Sequence, residues 1–179
     1  SKIEEKGKYL GAITRAEAVA SNKGTQGVGI SFKSESGETA DYLDIWTINS
    51  DGKQLAGYNL LMAMMTVLRV KGLTAVPGEV DKYDRSTQSR IKAPAKLFKE
   101  LMKPIGLLIH MEEYVKTDGE PAWKPAITAP FDQNGFTASE ILSQAQKPET
   151  LDRMLSALRD RPLKYPASSA LPNGAKPPA

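Results

Sequence analysis

A chain of 179 residues, 40% hydrophobic and 25% charged, holds enough apolar material for one folded domain with an ordinary wet surface. With 24 basic and 21 acidic residues the net charge is +3, a lean toward polyanions that acquires meaning only where the charges cluster. The absence of cysteine excludes disulfides and thiolate metal sites, and no apolar run reaches the ~18 residues of a membrane span.

Residues Lys8 to Ala20 read as a first strand, with Tyr9, Gly11, Ile13 and Arg15 on one face. The tract from Ser21 to Gly27 has turn composition. Val28, Ile30 and Phe32 then alternate with Gly29, Ser31 and Lys33, the period-two pattern of a second strand. A third strand is expected from Asp41 to Ile48, with Leu43 and Ile45 inward and Tyr42 and Trp46 on the opposite face. Asn49-Ser50-Asp51-Gly52 closes it with turn chemistry.

From Gln54 to Lys71 the period changes to that of a helix, carried by Leu55, Tyr58, Leu61, Met65 and Leu68 and stopped at Lys71-Gly72. Met62, Met64 and Met65 read as core, with a partner surface and homo-oligomerisation as the other use of an apolar helix. Residues 74–94 read as irregular, because Pro77, Gly78, Ser86, Thr87 and Pro94 interrupt many charges. A short helix is expected from Ala95 to Met102. Strands return at Ile105 to Val115 and Ala122 to Phe131, joined by Asp118-Gly119 in a hairpin. Trp123 shares parity with Ile127 and Phe131 and is expected in the core.

Two helices follow, Thr137 to Ala145 with a capping-box pair at Thr137 and Glu140, and Glu149 to Arg159. The Pro-rich segment 162–179 reads as a flexible tail, leaving residues 1–161 as the domain.

The predicted fold is mainly β (α+β): a five-stranded OB-like barrel with a helix between strands 3 and 4 and C-terminal helices. Small α+β folds share this order.

Little in the chain supports catalysis. Its single histidine, His110, alternates with Ile109 and Met111 in a strand, where packing is the ordinary role. Glu112 and Glu113 are adjacent in a strand and point to opposite faces, which disfavours a carboxylate pair. No phosphate-cradling glycine loop is present. The expectation is a binding protein with no catalytic residues, no metal and no cofactor. A Mg²⁺-dependent nuclease using Glu112 or Asp44 is the weakest reading.

Binding has more to work with. Aromatic side chains on which bases stack, flanked by cations, are what single-stranded nucleic acid requires. Tyr42 and Trp46 supply two rings about 13 Å apart if the third strand is regular, at ~3.3 Å per residue. Lys82, Arg85, Arg90 and Lys92 surround Tyr83. Arg69 and Lys71 end the central helix, Lys23 lies in the first loop and Lys33 points outward from the second strand. The blander reading of these charges is a solvated loop balanced by Glu79, Asp81 and Asp84. For Tyr42 and Trp46 it is packing beneath a neighbouring segment.

Several segments resemble a family of small bacteriophage and prophage proteins described as single-stranded-DNA-binding. They are Gly7-Lys8-Tyr9-Leu10-Gly11, Phe32-Lys33-Ser34-Glu35-Ser36-Gly37, and Tyr42-Leu43-Asp44-Ile45-Trp46-Thr47 followed by Asp51-Gly52-Lys53. Ile105-Gly106-Leu107-Leu108 with Glu112-Glu113-Tyr114, and Thr137-Ala138-Ser139-Glu140-Ile141, fit the same resemblance, which spans residues 7–165. It implies an OB fold, single-stranded DNA as partner, and accessory contacts with replication or recombination proteins. Bacterial single-stranded-DNA-binding proteins carry an acidic tail that recruits partners. Here the tail holds Lys164 and Lys176 and no acidic residue, a departure from that pattern.

The alternative is a phage protein–protein module that inhibits a host factor. The N-terminal Ser1–Lys8 segment lacks a signal peptide's apolar core, so a cytoplasmic setting is expected, that of the host cell if the chain is phage-encoded.

Overall fold

The structure is a computed structural model that describes residues 1–164. Its elements in chain order are β1 (Gly7–Ala20), β2 (Gln26–Ser34), β3 (Thr39–Ala40), β4 (Ile45–Ile48), α1 (Ala56–Leu68), β5 (Val76–Asp84), β6 (Ser89–Leu97), β7 (Pro104–Val115), β8 (Pro121–Phe131), α2 (Ala138–Leu142) and α3 (Thr150–Ala157). Over the described residues the protein is mainly β, an antiparallel sheet curled into a half-barrel, with eight strands in place of the five expected.

β1 organises the sheet because its two edges take different partners. One edge runs against β2, from Gly11↔Ser34 to Ala20↔Gln26. The other pairs with β7 over Gly7–Ala12, then meets β6 at the single pair Glu17↔Leu97. The sheet therefore forks at β1, into the β7–β8 hairpin and the β5–β6 hairpin. On the far side of β2, β3 and β4 add short stretches of ladder.

A register shift between Ile13 and Arg15 puts a bulge in β1. Ile13 and Ala16, of opposite parity, both enter the core as a result, and Arg15 and Glu17 turn to the other face. β2 and β7 are buried almost throughout, which accounts for the near-continuous apolar run from Ile105 to Ile109. The main core lies between the curled sheet and α1, with Ile30, Phe32, Leu43, Met64, Leu101 and Leu107 among its most enclosed members. A smaller cluster of Leu108, Phe131 and Leu151 seats α3 against the outer face of β7–β8. Gly106 is required there, since a Cβ would run into the ring of Phe131.

Several expected boundaries move. The third strand breaks: residues 41–44 leave the ladder, Tyr42 adopts a left-handed φ of 58°, and the strand resumes only at Ile45. α1 ends at Leu68 because Arg69 takes the left-handed cap (φ 58°), three residues before the expected glycine stop. The stretch read as irregular is the β5–β6 ladder. Its prolines are tolerated because both hairpin edges are largely free, so few main-chain donors are missed there. The helix expected over 95–102 is the end of β6 followed by a 3₁₀ turn at Lys99–Leu101.

The β7–β8 hairpin and the Thr137–Glu140 capping box form as the sequence predicts, although α2 and α3 are shorter than expected. Trp123 is not core. It lies near the turn end of the hairpin and is 48% exposed, and only Ile127 and Phe131 reach the interior.

The tail expected over 162–179 lies, from residue 165 onward, outside the described residues. Before that point the chain is tied down: Arg161 pairs with Glu112 in a parallel bridge, and the main-chain NH of Leu163 donates to Glu113. No helix among the described residues is long and apolar enough to cross a membrane.

Candidate nucleic-acid interface

The fork at β1 leaves a cleft of about 670 Å³ between the half-barrel and the β5–β6 hairpin. The body contributes Thr14, Arg15, Glu17, Ser31, Asp41 and Tyr42. The hairpin contributes Glu79 to Tyr83, then Arg85, Arg90 and Lys92.

Two tyrosines stand exposed here with no packing duty, Tyr42 at 72% and Tyr83 at 58%. A non-glycine residue in the left-handed region costs about 1–2 kcal/mol. At Tyr42 this conformation carries the ring out of the strand, and the Arg15 guanidinium lies 5.9 Å from the ring centroid. Leu43, directly after it, is tied back by its NH to the Ile30 carbonyl at 2.9 Å and fills the core. The loop is thus anchored on one side and presents a ring on the other.

On the hairpin, Tyr83 pairs with Arg90 and Asp81 with Lys92, so these four side chains share one face. Asp84 shapes the hairpin tip. The Ser86 hydroxyl and main-chain NH, then the Thr87 hydroxyl, donate to its carboxylate and hold it below its ordinary pKa.

Five cations line the cleft, but three are already paired. Arg15 donates through Nε to the Ser31 hydroxyl at 2.9 Å and through NH1 to Glu17 Oε1 at 2.9 Å. Lys82 Nζ lies 3.8 Å from Glu17 Oε2, and Lys92 Nζ lies 3.0 Å from Asp81. Arg85 and Arg90 meet no carboxylate at ion-pair distance among the described residues. Close by, burial lifts the Asp44 carboxyl above its ordinary pKa, with Arg15 and Lys124 opposing the rise and Glu17 adding to it. Gly29 keeps this corner open, since a Cβ there would come within 2.7 Å of Arg15 and 3.3 Å of Asp44.

Of the residues singled out in the sequence, the cleft gathers Tyr42, Lys82, Tyr83, Arg85, Arg90 and Lys92. It does not gather the others. Trp46 is half-buried on β4 and pairs with Gly27, whose missing side chain makes room for its ring, so Tyr42 and Trp46 do not share one sheet face. Lys23 sits in the β1–β2 turn and Lys33 near the other end of β2. Arg69 caps α1 and pairs with Asp132 at 3.3 Å, and Lys71 is exposed just beyond it.

Arg15 and Glu17 were missed. Simple alternation placed Arg15 on the face of Ile13, and only the bulge sends it to the cleft. A charged pair two residues apart within the mostly apolar stretch from Leu10 to Ala20 was the one available signal.

His110 is buried in β7, its Nδ1 at 2.6 Å from the Thr128 hydroxyl and its Nε2 at 3.3 Å from Glu112. Glu112 and Glu113 point apart as expected, the first toward His110 and Arg161, the second to the Leu163 NH. Among the described residues no group of three or more histidine or carboxylate side chains is placed to hold a metal ion.

No protein-family model matches the chain, and a search of curated proteins finds no match.

Proposed function

We propose that this protein binds single-stranded DNA without sequence preference, between the half-barrel and the β5–β6 hairpin. One observation carries the reading: Tyr42 and Tyr83 are both exposed, do no packing work, and line one cleft beside the unpaired Arg85 and Arg90. An unpaired base offers a π face to each ring, a contact worth roughly 1–3 kcal/mol per base, and the arginines meet the phosphates between. A duplex keeps its base faces stacked inside, so it forfeits the ring contacts and retains only the electrostatic ones.

The reading treats the half-barrel as an opened OB-like barrel with the β5–β6 hairpin as an added wall. Its support is the way β1 divides its edges between β2 and β7, with α1 lying in sequence between the first strands and the closing β7–β8 hairpin. A role in phage replication or recombination, in the host cytoplasm, rests on the resemblance of the segments quoted above.

The test is a titration with oligo(dT) and with a duplex of equal length at two salt concentrations. Saturable binding of the single strand, well above that of the duplex and weaker at higher salt, is expected. Equal binding of both, or none of either at low salt, removes the proposal.

A second reading is favoured by Trp123 and Val115, exposed at 48% and 52% on the end of the β7–β8 hairpin. An apolar pair there suits a protein partner, as an inhibitor of a host factor would need. Host-protein capture that survives nuclease and is lost in Trp123→Ser would favour it.

A further inference from the structure

The geometry points to Glu17 as a built-in competitor for phosphate: a carboxylate that keeps Arg15 and Lys82 from a bound strand and so sets the affinity and salt dependence of the cleft. This inference rests on the single-strand reading above. Glu17 is buried in β1, at the one place where β1 pairs with β6, opposite Leu97 on one side and Gly29 on the other. Each carboxylate oxygen has its own cation, Oε1 the Arg15 guanidinium at 2.9 Å and Oε2 the Lys82 ammonium at 3.8 Å.

A buried carboxylate is tolerated because it is paired. A phosphate that took Arg15 or Lys82 would leave Glu17 enclosed and short of a partner, an unfavourable exchange. Lys92 also faces Asp81, but both side chains are exposed, so water replaces either partner and Lys92 stays available to a phosphate. Of the five cations, three are therefore available to a strand as it arrives, Arg85, Arg90 and Lys92. Salt then weakens binding less than five free cations would imply. Glu17 thus sets Lys82 of the hairpin against the body, at the point where Glu17 pairs with the buried Leu97.

This gives a number to measure. For single strands the logarithm of the binding constant falls with the logarithm of salt by about 0.7 per neutralised phosphate, so the wild-type chain should show a slope of about −2.1. Glu17→Gln keeps the shape and removes the charge, freeing Arg15 and Lys82. Its slope should steepen to about −3.5, with binding tightened roughly tenfold at low salt and the advantage shrinking as salt rises. Arg90→Ala should flatten the wild-type slope to about −1.4. A wild-type slope near about −3.5, the value for all five cations, overturns the inference without any variant, and so holds even if Glu17→Gln folds poorly. An unchanged slope in a folded Glu17→Gln chain also overturns it, while wild-type binding leaves the single-strand reading intact. Absence of binding by the wild-type chain at low salt sinks both.

Discussion

The half-barrel and the β5–β6 hairpin are built from the same antiparallel ladder, yet almost every residue differs in duty. In the half-barrel, β2 and β7 are enclosed nearly end to end, and glycines sit where a ring or a neighbouring strand needs their space. In the hairpin only Val80 and Leu97 are buried, and the registered pairing with the body is the single pair Glu17↔Leu97. A residue in the body answers first to packing. Tyr83, Ile91, Arg85 and Arg90 answer to nothing in the fold, so their chemistry is available to something outside it.

That contrast can be broken most sharply in the body. Phe131→Ala empties the space over Gly106 and beside Leu108 and Leu151, and should cost about 3–5 kcal/mol in a denaturant melt. A cost below 1 kcal/mol would mean that the second cluster is not a core.

Glu140 tests the join between the two C-terminal helices, α2 and α3. Its carboxylate accepts from the Thr137 NH and hydroxyl at 3.0 Å each, and from the NH groups of Glu149 and Thr150 at 2.8 and 3.1 Å. The Thr137 NH first, then those of Glu149 and Thr150, hold its pKa down to about 2 from 4.5. Because the folded value is the lower one, this stabilisation is complete above pH 4.5 and fades as pH falls toward about 2. Glu140→Gln should cost about 2 kcal/mol at neutral pH and remove part of the acid sensitivity in that window. A variant as stable as the parent at pH 7 would show that the staple does not matter.

Tyr83→Ala sharpens the other side of the comparison. It should change stability by less than about 0.5 kcal/mol, because the side chain is 58% exposed and belongs to no core cluster. It should weaken oligo(dT) binding by about 1–3 kcal/mol, read by anisotropy of a labelled strand. A large drop in melting temperature would show that the hairpin's ring is structural after all. Smallest of all, Asp84→Asn should leave the body untouched and loosen only the hairpin tip, seen as faster amide exchange at Ser86 and Thr87.

The body was largely legible in the sequence because packing writes periodicity. Val28, Ile30 and Phe32, the helical spacing through Met65, and the Thr137–Glu140 pair each signal one element, and each forms. The hairpin was not legible. One face of its ladder does alternate, with Val76, Gly78 and Val80 opposite Ala93, Ala95 and Leu97, but the residues are small and mostly half-covered, and Pro77 and Pro94 read as breakers rather than as residues of a free-edged pair. The cleft was half visible. Tyr42 and the cluster around Tyr83 stood out by composition, but their meeting depends on the fork at β1, a contact between residues far apart in the chain. Arg15 and Glu17 were hidden by one bulge, which reverses strand parity without leaving a mark in composition. Trp123 was misplaced because parity gives a face and says nothing of where the core beneath that face ends.

The central claim is that two exposed tyrosines lining one cleft hold unpaired bases. The direct test compares the parent chain with Tyr42→Ala/Tyr83→Ala in equilibrium binding to labelled oligo(dT) at low salt, with thermal melts of both. The account predicts unchanged melting and a loss of at least roughly tenfold in affinity, the equivalent of about one stacked base. Equal affinity in the two proteins would contradict it.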